Sequence, residues 1–291
     1  MSIEVKNINH IYAEGLPFET VALNDISFNI DDGKFVGIIG HTGSGKSTLL
    51  QHLNGLLKPK SGSITVDGVD ITAPGKKMTE IRKKVGLVFQ YPEYQLFEET
   101  VEKDVAFGPK NLGMQGEELE ATVKEAIELV GLDFEEIKER SPFDLSGGQK
   151  RRVAIAGVIA MKPKILILDE PTAGLDPKAH RELLSTIKKL HKNEKLTILF
   201  VSHNMDDIME MADSVMVLEN GTLVMNDSPE RVFSRWEELE KIGLNVPQIT
   251  ELMKKLEKKD SSIEGNVFDM EKAASIIKNY INSKESKAQN D

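Results

Sequence analysis

The segment GHTGSGKST, residues 40–48, constrains the fold more than any other part of the sequence. It matches the pattern G-x-x-x-x-G-K-[ST] and lies between the apolar run FVGIIG and the amphipathic run KSTLLQHLNGLL. Its glycines let successive backbone N–H groups point at phosphate oxygens, and a helix N-terminus adds positive potential. The sequence therefore predicts a nucleotide-phosphate site between a strand and a helix.

Two residues of this loop have specific predicted roles. Lys46 is expected to bridge the β- and γ-phosphates, and Ser47 to ligate Mg²⁺. A glycine-rich turn could match the pattern by chance about once in 100 chains of this length, and the strand and helix on either side lower that chance. The predicted nucleotide-binding residues of the loop are Gly40, His41, Thr42, Gly43, Ser44, Gly45, Lys46, Ser47 and Thr48.

A second apolar run, ILIL, ends in the carboxylates Asp169 and Glu170. Asp169 is predicted to hold Mg²⁺ through its water shell, and Glu170 to polarise the attacking water as a general base. The alternative is that one carboxylate only caps the following helix.

The segment LSGGQ, residues 145–149, places a serine and two glycines directly before a predicted helix. A small hydroxyl and a glycine pair at a helix start form a second anion site, for the same reasons as the first. The phosphate loop already binds the phosphates of the chain's own nucleotide. This second anion site, which we call the LSGGQ cradle, therefore indicates a nucleotide held by another subunit. The alternative is a helix capped by Ser146, which explains the residues but not their combination with the other motifs.

The order of strand-like and helix-like runs predicts the architecture. Short β-rich runs alternate with helical patterns, which indicates a parallel sheet covered by helices. Residues 91–161 show helical periodicity instead and are predicted to form an inserted helical subdomain. Residues 229–282 carry helix caps and apolar stripes typical of a small C-terminal helical unit. Residues 283–291 have no periodicity and are expected to be a disordered tail.

Taken in order, these motifs resemble the nucleotide-binding subunit of an ATP-binding cassette (ABC) transporter. The resemblance covers residues 1–228 and includes Gln90 after VGLVF, Asp176 after GL, and His203 in FVSHN. It implies an α/β P-loop NTPase fold of ABC type, with a parallel-sheet core, an antiparallel β part and an inserted helical subdomain. ATP and Mg²⁺ are the implied cofactors.

The resemblance also implies residue roles. His203 would contact the γ-phosphate, Asp176 would signal across the dimer, and Gln90 would reach Mg²⁺ and the attacking water. Tyr12 corresponds to the aromatic residue that stacks on adenine, with Phe18 as the alternative. The implied catalytic residues are Glu170, His203, Gln90 and Lys46; the implied metal residues are Ser47, Gln90 and Asp169; the residues implied to bind the partner's ATP are Leu145, Ser146, Gly147, Gly148 and Gln149.

The segment QYPEYQLFEETVEKDVAFGPKN is similar to that of energy-coupling factor (ECF) transporter ATPases, which take up vitamins and transition-metal ions. Its start, QYP, and the pair Glu98 and Glu99 resemble the second of two ATPase paralogues. The implied assembly is a heterodimer with the other ECF ATPase paralogue. That heterodimer would dock on a transmembrane scaffold subunit, which carries an exchangeable substrate-binding membrane subunit.

The residues after Gln90 are the predicted docking surface for the membrane subunit. Residues 93–104 contain five acids and the single base Lys103, so this surface is expected to attract cationic helices. The alternative is a solvated acidic face. The predicted docking residues are Glu93, Tyr94, Leu96, Phe97 and Glu98.

Charge and composition exclude several other classes. A net charge of −10 argues against a protein whose main partner is nucleic acid, and the absence of cysteine excludes disulfides and thiolate metal sites. No signal peptide is visible, and no apolar run approaches the roughly 20 residues that span a bilayer. The chain is therefore expected in the cytosol, and the resemblance to ECF transporter ATPases implies a peripheral position at the cytoplasmic face of the cell membrane.

Three alternatives remain at this point. The chain could serve another ABC importer, for cobalt, nickel or an amino acid. It could be an ABC-type regulatory ATPase of DNA repair or translation, although it lacks the long coiled-coil insertion or second cassette typical of those proteins. The C-terminal unit could bind a regulatory ligand, but dimer contacts are favoured because its apolar stripes lack a convergent polar cluster.

Overall fold

The computed structural model describes residues 2–73, 75 and 78–288. Runs rich in β-branched and aromatic residues form its strands. The strands are β1 (Ile3–Tyr12), β2 (Thr20–Ile30), β3 (Phe35–Ile39), β4 (Ser61–Val66), β5 (Val69–Asp70), β6 (Val85–Val88), β7 (Ile165–Asp169), β8 (Thr197–Val201), β9 (Ser214–Glu219) and β10 (Thr222–Asp227).

Apart from α2, the helices lie in segments predicted to be helical, and several begin at a capping side chain such as Thr100, Ser146 or Asp176. None of the described helices is both long and apolar enough to cross a bilayer. Short 3₁₀ turns lie at Pro92–Gln95 and Pro142–Asp144. The helices are α1 (Lys46–Leu53), α2 (Met78–Lys84), α3 (Val101–Asn111), α4 (Gly116–Leu129), α5 (Phe134–Ile137), α6 (Gly147–Ile159), α7 (Pro177–Glu194), α8 (Met205–Met211), α9 (Pro229–Ser234), α10 (Trp236–Lys241), α11 (Gln248–Lys259) and α12 (Met270–Ala288).

Within the described ranges the strands form two sheets. The larger has the order β10-β9-β3-β8-β7-β6, in which the five strands from β9 to β6 are parallel and β10 pairs antiparallel to β9. The smaller has the order β2-β1-β4-β5 and is antiparallel. The predicted parallel core with an antiparallel β part is confirmed. The carboxyl ends of β3, β6, β7 and β8 therefore meet at one edge, where α/β proteins bind ligands.

The core lies on both faces of the parallel sheet. Strands β7 and β8 are buried along their whole lengths, as expected for parallel strands covered on both sides. Alternate residues of β7 enter different clusters: Leu166 and Leu168 pack with the helical subdomain, and Ile165 and Ile167 pack toward the antiparallel sheet. This packing fixes the position of Asp169, the last residue of β7, and of Glu170, which follows it.

Residues 91–161, all of which the structure describes, contain helices and no strand. Helix α4 buries Leu119, Val123 and Ile127 on one face, as its periodicity predicts. That face packs into the same cluster as α3 and α6. The segment thus forms a helical layer attached to the sheet at β6 and β7.

The C-terminal helices pack in two groups. Val232 and Phe233 of α9 belong to the main core, whereas Met253 of α11 and Ala273 of α12 form a small separate cluster with Ile263 and Val267. Helix α12 continues to Ala288, into the stretch from residue 283 that the sequence predicts to be disordered. Lysine, glutamate and alanine in this stretch favour helix. Residues 289–291 lie outside the described residues.

Candidate functional site

The phosphate loop connects β3 to α1 and has the backbone that its glycines predict. Gly43 and Gly45 have positive φ angles of 83° and 100°. Gly45 precedes α1, and a side chain there would collide with the carbonyl oxygen of Ala22. Only glycine fits this turn without strain, and the resulting backbone curl suits a loop whose N–H groups surround an anion.

Lys46 lies inside this loop. Its ammonium donates hydrogen bonds to the carbonyl oxygens of Gly40 at 2.6 Å and His41 at 2.9 Å. Burial lowers the pKa of Lys46, while the carboxylates of Glu170 and Asp169 oppose that effect. Among the described residues, the buried Ser44 hydroxyl oxygen has no hydrogen-bond partner. A buried cation beside an unpartnered hydroxyl fits a bound phosphate group.

Ser47 and Asp169 come together as predicted. The Ser47 hydroxyl donates to a carboxylate oxygen of Asp169 at 3.1 Å, and burial raises the pKa of that carboxyl. No group of three or more His, Cys, Asp or Glu side chains in the described part of the chain could hold a metal by itself. A hydroxyl and one carboxylate fit Mg²⁺, which usually takes few protein ligands and completes its coordination with phosphates and water.

Glu170 lies beside Gln90 and His203. One of its carboxylate oxygens accepts a hydrogen bond from Gln90 Nε2 at 2.9 Å, and the other lies 2.8 Å from His203 Nε2. The Glu170 backbone has a φ angle of 50°, a conformation uncommon outside glycine and typical of functional sites. The residues come from the ends of three neighbouring strands, β6, β7 and β8. The structure therefore brings the predicted catalytic side chains to one place.

Tyr12 lies next to the phosphate-loop helix. Its hydroxyl is 3.3 Å from Thr48 Oγ1, whereas Phe18 is 69% exposed in the loop between β1 and β2. His10 packs edge-on against the Tyr12 ring with centroids 4.5 Å apart, and His10 Nδ1 lies 3.1 Å from His52 Nε2. Sequence reasoning missed this histidine pair. The signal available was the position of His10 two residues before Tyr12, on the same face of β1.

The LSGGQ residues form a capped helix start. The Ser146 hydroxyl accepts from the Gln149 backbone N–H, and the Gln149 side chain accepts from the Ser146 N–H. A side chain at Gly147 would meet nothing within 4 Å, whereas one at Gly148 would approach Ala179. Leu145 is buried in the core, so it anchors the motif and offers no exposed surface. The open position of the cradle is therefore at Gly147.

Asp176 caps α7. Its carboxylate accepts hydrogen bonds from the backbone N–H groups of Lys178 and Ala179, and these bonds lower its pKa. This contact positions the loop between β7 and α7, residues 170–176, which we call the β7–α7 loop.

The predicted docking residues differ in their surroundings. In the docking segment, residues 91–98, Tyr94 and Phe97 are 85% and 57% exposed. The Glu93 carboxylate pairs with the buried Arg151 at 2.6 Å. Leu96 is buried but lines the groove described below. The docking role of these two residues stays a prediction. The pairing of Glu93 with Arg151 could not be predicted from the sequence, because the two residues are 58 positions apart in the chain.

The expected acidic character of this surface is also reduced. The Asp104 carboxylate accepts from the backbone N–H groups of Phe97 and Glu98, and Glu99 pairs with Lys103. A groove of about 440 Å³ lies between the docking segment and helices α2, α3 and α6. Its lining includes the rings of Phe97 and Phe107, the Met161 side chain, and the bases Arg82 and Lys83.

Comparison with known proteins agrees with this geometry. Residues 23–173 match the sequence profile of the ABC transporter family. The chain is 54% identical, over 284 residues, to the energy-coupling factor transporter ATP-binding protein EcfA2 of Clostridium tetani, covering 98% of this chain and 99% of that protein.

Solved structures show the same fold. The structure of cbiO1 from Clostridium perfringens, part of the ABC transporter complex cbiONQ, matches with a TM-score of 0.74 and 39% identity. The match covers 86% of this chain and 98% of that one. A dimeric post-hydrolysis structure of the ATP-binding cassette MJ0796, bound to ADP and Pi, matches with a TM-score of 0.69 and 30% identity, covering 78% and 98% of the chains. The chain thus belongs to the ABC transporter family, among its energy-coupling factor transporter ATP-binding proteins.

Proposed function

We propose that this chain binds and hydrolyses ATP to power an ECF-type importer of vitamins or other micronutrients. The observation that carries the proposal is the Glu170 carboxylate, which lies between Gln90 and His203 at the sheet edge that also holds the phosphate loop. A carboxylate held by two polar side chains beside a phosphate cradle suits a general base for water.

In the proposed reaction, residues 40–48 hold the ATP phosphates and Lys46 donates to the β- and γ-phosphate oxygens. Ser47, Asp169 and Gln90 would hold Mg²⁺, which neutralises charge on those oxygens when bound. Glu170 accepts the proton of the attacking water, and His203 orients the γ-phosphate. Tyr12 stacks on the adenine.

We further propose that the LSGGQ cradle binds ATP held by a second ECF ATPase paralogue. Gly147 has open space beside it, and the first turn of α6 presents backbone N–H groups to a ligand from outside the chain. ATP then bridges a heterodimer, and Asp176 relays the state of one site to the other. Helices α11 and α12 would add dimer contacts, so deleting residues 229–291 should weaken pairing of the two ATPases.

The groove beside the docking segment is the proposed seat of a transmembrane scaffold subunit. Its apolar rings, Phe97 and Phe107, pack edge to face at 4.9 Å and offer a surface for an amphipathic helix. The chain would lie peripherally at the cytoplasmic face of the membrane. It would reach the substrate-binding membrane subunit only through the scaffold.

A second candidate rests on the likeness to cbiO1, part of the complex cbiONQ. The chain could serve an ABC importer for cobalt, nickel or another substrate with the same ATP chemistry. The identity of the membrane subunits separates this candidate from the first.

Affinity purification of the tagged chain from detergent-solubilised membranes tests the proposal. We expect a second cassette ATPase and a transmembrane scaffold to co-purify. Phe97→Asp should reduce recovery of the scaffold but not ATP binding by the chain. Recovery of the chain without any transmembrane protein would contradict the proposed function.

A further inference from the structure

Arg151 is the largest of the fully buried side chains and carries a charge that the reaction described above does not use. It lies in α6, two residues after the end of the LSGGQ motif at Gln149. Its side chain is only 2% exposed. Arginine is seldom buried to this extent unless its charge and its donors all have partners. Its partners therefore identify what it holds together.

The guanidinium joins two segments to α6. It forms a two-pronged pair with the Glu93 carboxylate, Nε to one oxygen at 3.0 Å and a terminal nitrogen to the other at 2.6 Å. Its remaining terminal nitrogen donates to the carbonyl oxygens of Pro171 at 2.8 Å and Ala173 at 2.6 Å. Glu93 lies in the docking segment, and Pro171 and Ala173 lie in the β7–α7 loop.

A second contact joins the same two segments. The Tyr91 ring lies 5.9 Å from the centre of the Arg151 guanidinium, and a Cβ atom added at Gly174 would lie 3.8 Å from that ring. The docking segment and the β7–α7 loop thus enclose the guanidinium from two sides.

The planar, forked guanidinium suits this arrangement, because it can meet a carboxylate with two donors and still serve other acceptors. Breaking such a buried pair leaves an uncompensated charge, so the pair resists separation. When the docking segment moves, the β7–α7 loop and the start of α6 must either follow or break these bonds.

We propose that Arg151 is a positioning residue that makes the docking segment, the β7–α7 loop and the LSGGQ end of α6 move as one body. Through it, displacement at the docking segment reaches the loop that begins at Glu170 and ends at Asp176. The coupling also acts in the opposite direction, so that nucleotide binding at the catalytic residues moves the docking segment. The role of this motion in transport rests on the proposed function. The contacts of Arg151 themselves lie within the chain and do not depend on a membrane partner.

The chain contains no cysteine, so one introduced thiol can report on the docking segment. Tyr94→Cys, at a side chain that is 85% exposed, is labelled with an environment-sensitive fluorophore in the otherwise unchanged full chain. The emission is recorded on addition of ATP with Mg²⁺. ATP affinity and hydrolysis are measured on the same samples, so loss of nucleotide binding is distinguished from loss of coupling.

Glu93→Gln is the decisive variant, because it keeps the Arg151 bonds to Pro171 and Ala173 and removes only the charged link to the docking segment. We expect ATP to change the emission of the labelled parent chain, and this change to disappear in Glu93→Gln at unchanged ATP affinity. Arg151→Lys, whose ammonium lacks the planar fork that meets both Glu93 oxygens and the two carbonyl oxygens, should also lose most of the change.

Glu125→Gln is the matched control, since it removes the carboxylate of an exposed pair with Lys162 in the same helical layer. It should leave the ATP-dependent change intact. The inference is overturned if Glu93→Gln retains the full change, or if the parent chain binds ATP and shows none. Failure of the parent to bind or hydrolyse ATP would instead count against the proposed function.

Discussion

The imidazole Nε2 of His203 lies 2.8 Å from a carboxylate oxygen of Glu170. His203 follows β8 and is half exposed, whereas Glu170 follows β7 and is only 16% exposed. The histidine is therefore the more exposed side chain of this pair. This arrangement predicts separable effects of the two side chains.

His203→Ala should slow ATP hydrolysis by about 10²- to 10³-fold, the range for loss of one donor to developing transition-state charge. ATP affinity should change little, because residues 40–48 hold the phosphates. Steady-state hydrolysis and equilibrium ATP binding check the two parts separately. His191→Gln, at the far end of α7 where the ring contacts the Leu196 carbonyl, is the control and should hydrolyse ATP normally.

Tyr12→Ala and Phe18→Ala distinguish the two candidates for the adenine-stacking aromatic. Base stacking on an aromatic side chain contributes about 1–3 kcal/mol, so Tyr12→Ala should weaken ATP binding by about 5- to 150-fold. Phe18→Ala should leave the affinity unchanged, since Phe18 is 69% exposed in the loop between β1 and β2. A larger loss in Phe18→Ala than in Tyr12→Ala would reverse the assignment. Titration with ATP measures both.

Gly147→Ala tests whether the LSGGQ cradle serves a nucleotide from outside the chain. The open space at Gly147 means that a methyl group should not disturb the fold, and alanine in a helix is favoured over glycine by about 0.5–1 kcal/mol. The thermal unfolding temperature of the isolated chain should therefore stay the same or rise. ATP-dependent pairing with the second ATPase, followed by light scattering, should be lost; normal pairing would contradict the assignment.

Asp207 gives the chain a pH-dependent stability. Burial raises the pKa of this carboxyl, and the hydrogen bond with His180 at 2.9 Å opposes the shift only in part. An acid whose pKa is raised on folding binds its proton more tightly in the folded state, so stability is lost as pH rises through the raised pKa. The free energy of unfolding of Asp207→Asn, relative to wild type, should increase above pH 3.8, the ordinary value for aspartate. Urea denaturation across pH measures this, and a constant difference would contradict it.

The nucleotide motifs could be predicted from sequence because each depends on local backbone chemistry. Gly45, Lys46 and Ser47 are neighbours in the chain, and an apolar strand ending in Asp169 and Glu170 has a readable pattern. The carboxyl ends of parallel strands share one sheet edge, so the predicted fold also implied that the motif residues at these strand ends lie close together.

The docking segment could not be predicted in the same way. The environment of Glu93 depends on Arg151, which reaches it through tertiary packing between the 3₁₀ turn and α6. An acidic run in the sequence does not reveal which carboxylates are already paired. Residues 283–288 of α12 also show no apolar stripe in the sequence, although their helix propensity is high.

The most direct test of the account is ATP hydrolysis by Glu170→Gln in complex with the second ATPase. Removing the general base should lower the turnover rate by about 10²- to 10⁴-fold while ATP still binds. The ATP-bound dimer should then accumulate and appear as a larger, persistent species in size-exclusion chromatography with light scattering. Hydrolysis by Glu170→Gln at the wild-type rate, with no accumulated dimer, would contradict the role of Glu170 on which the proposed function rests.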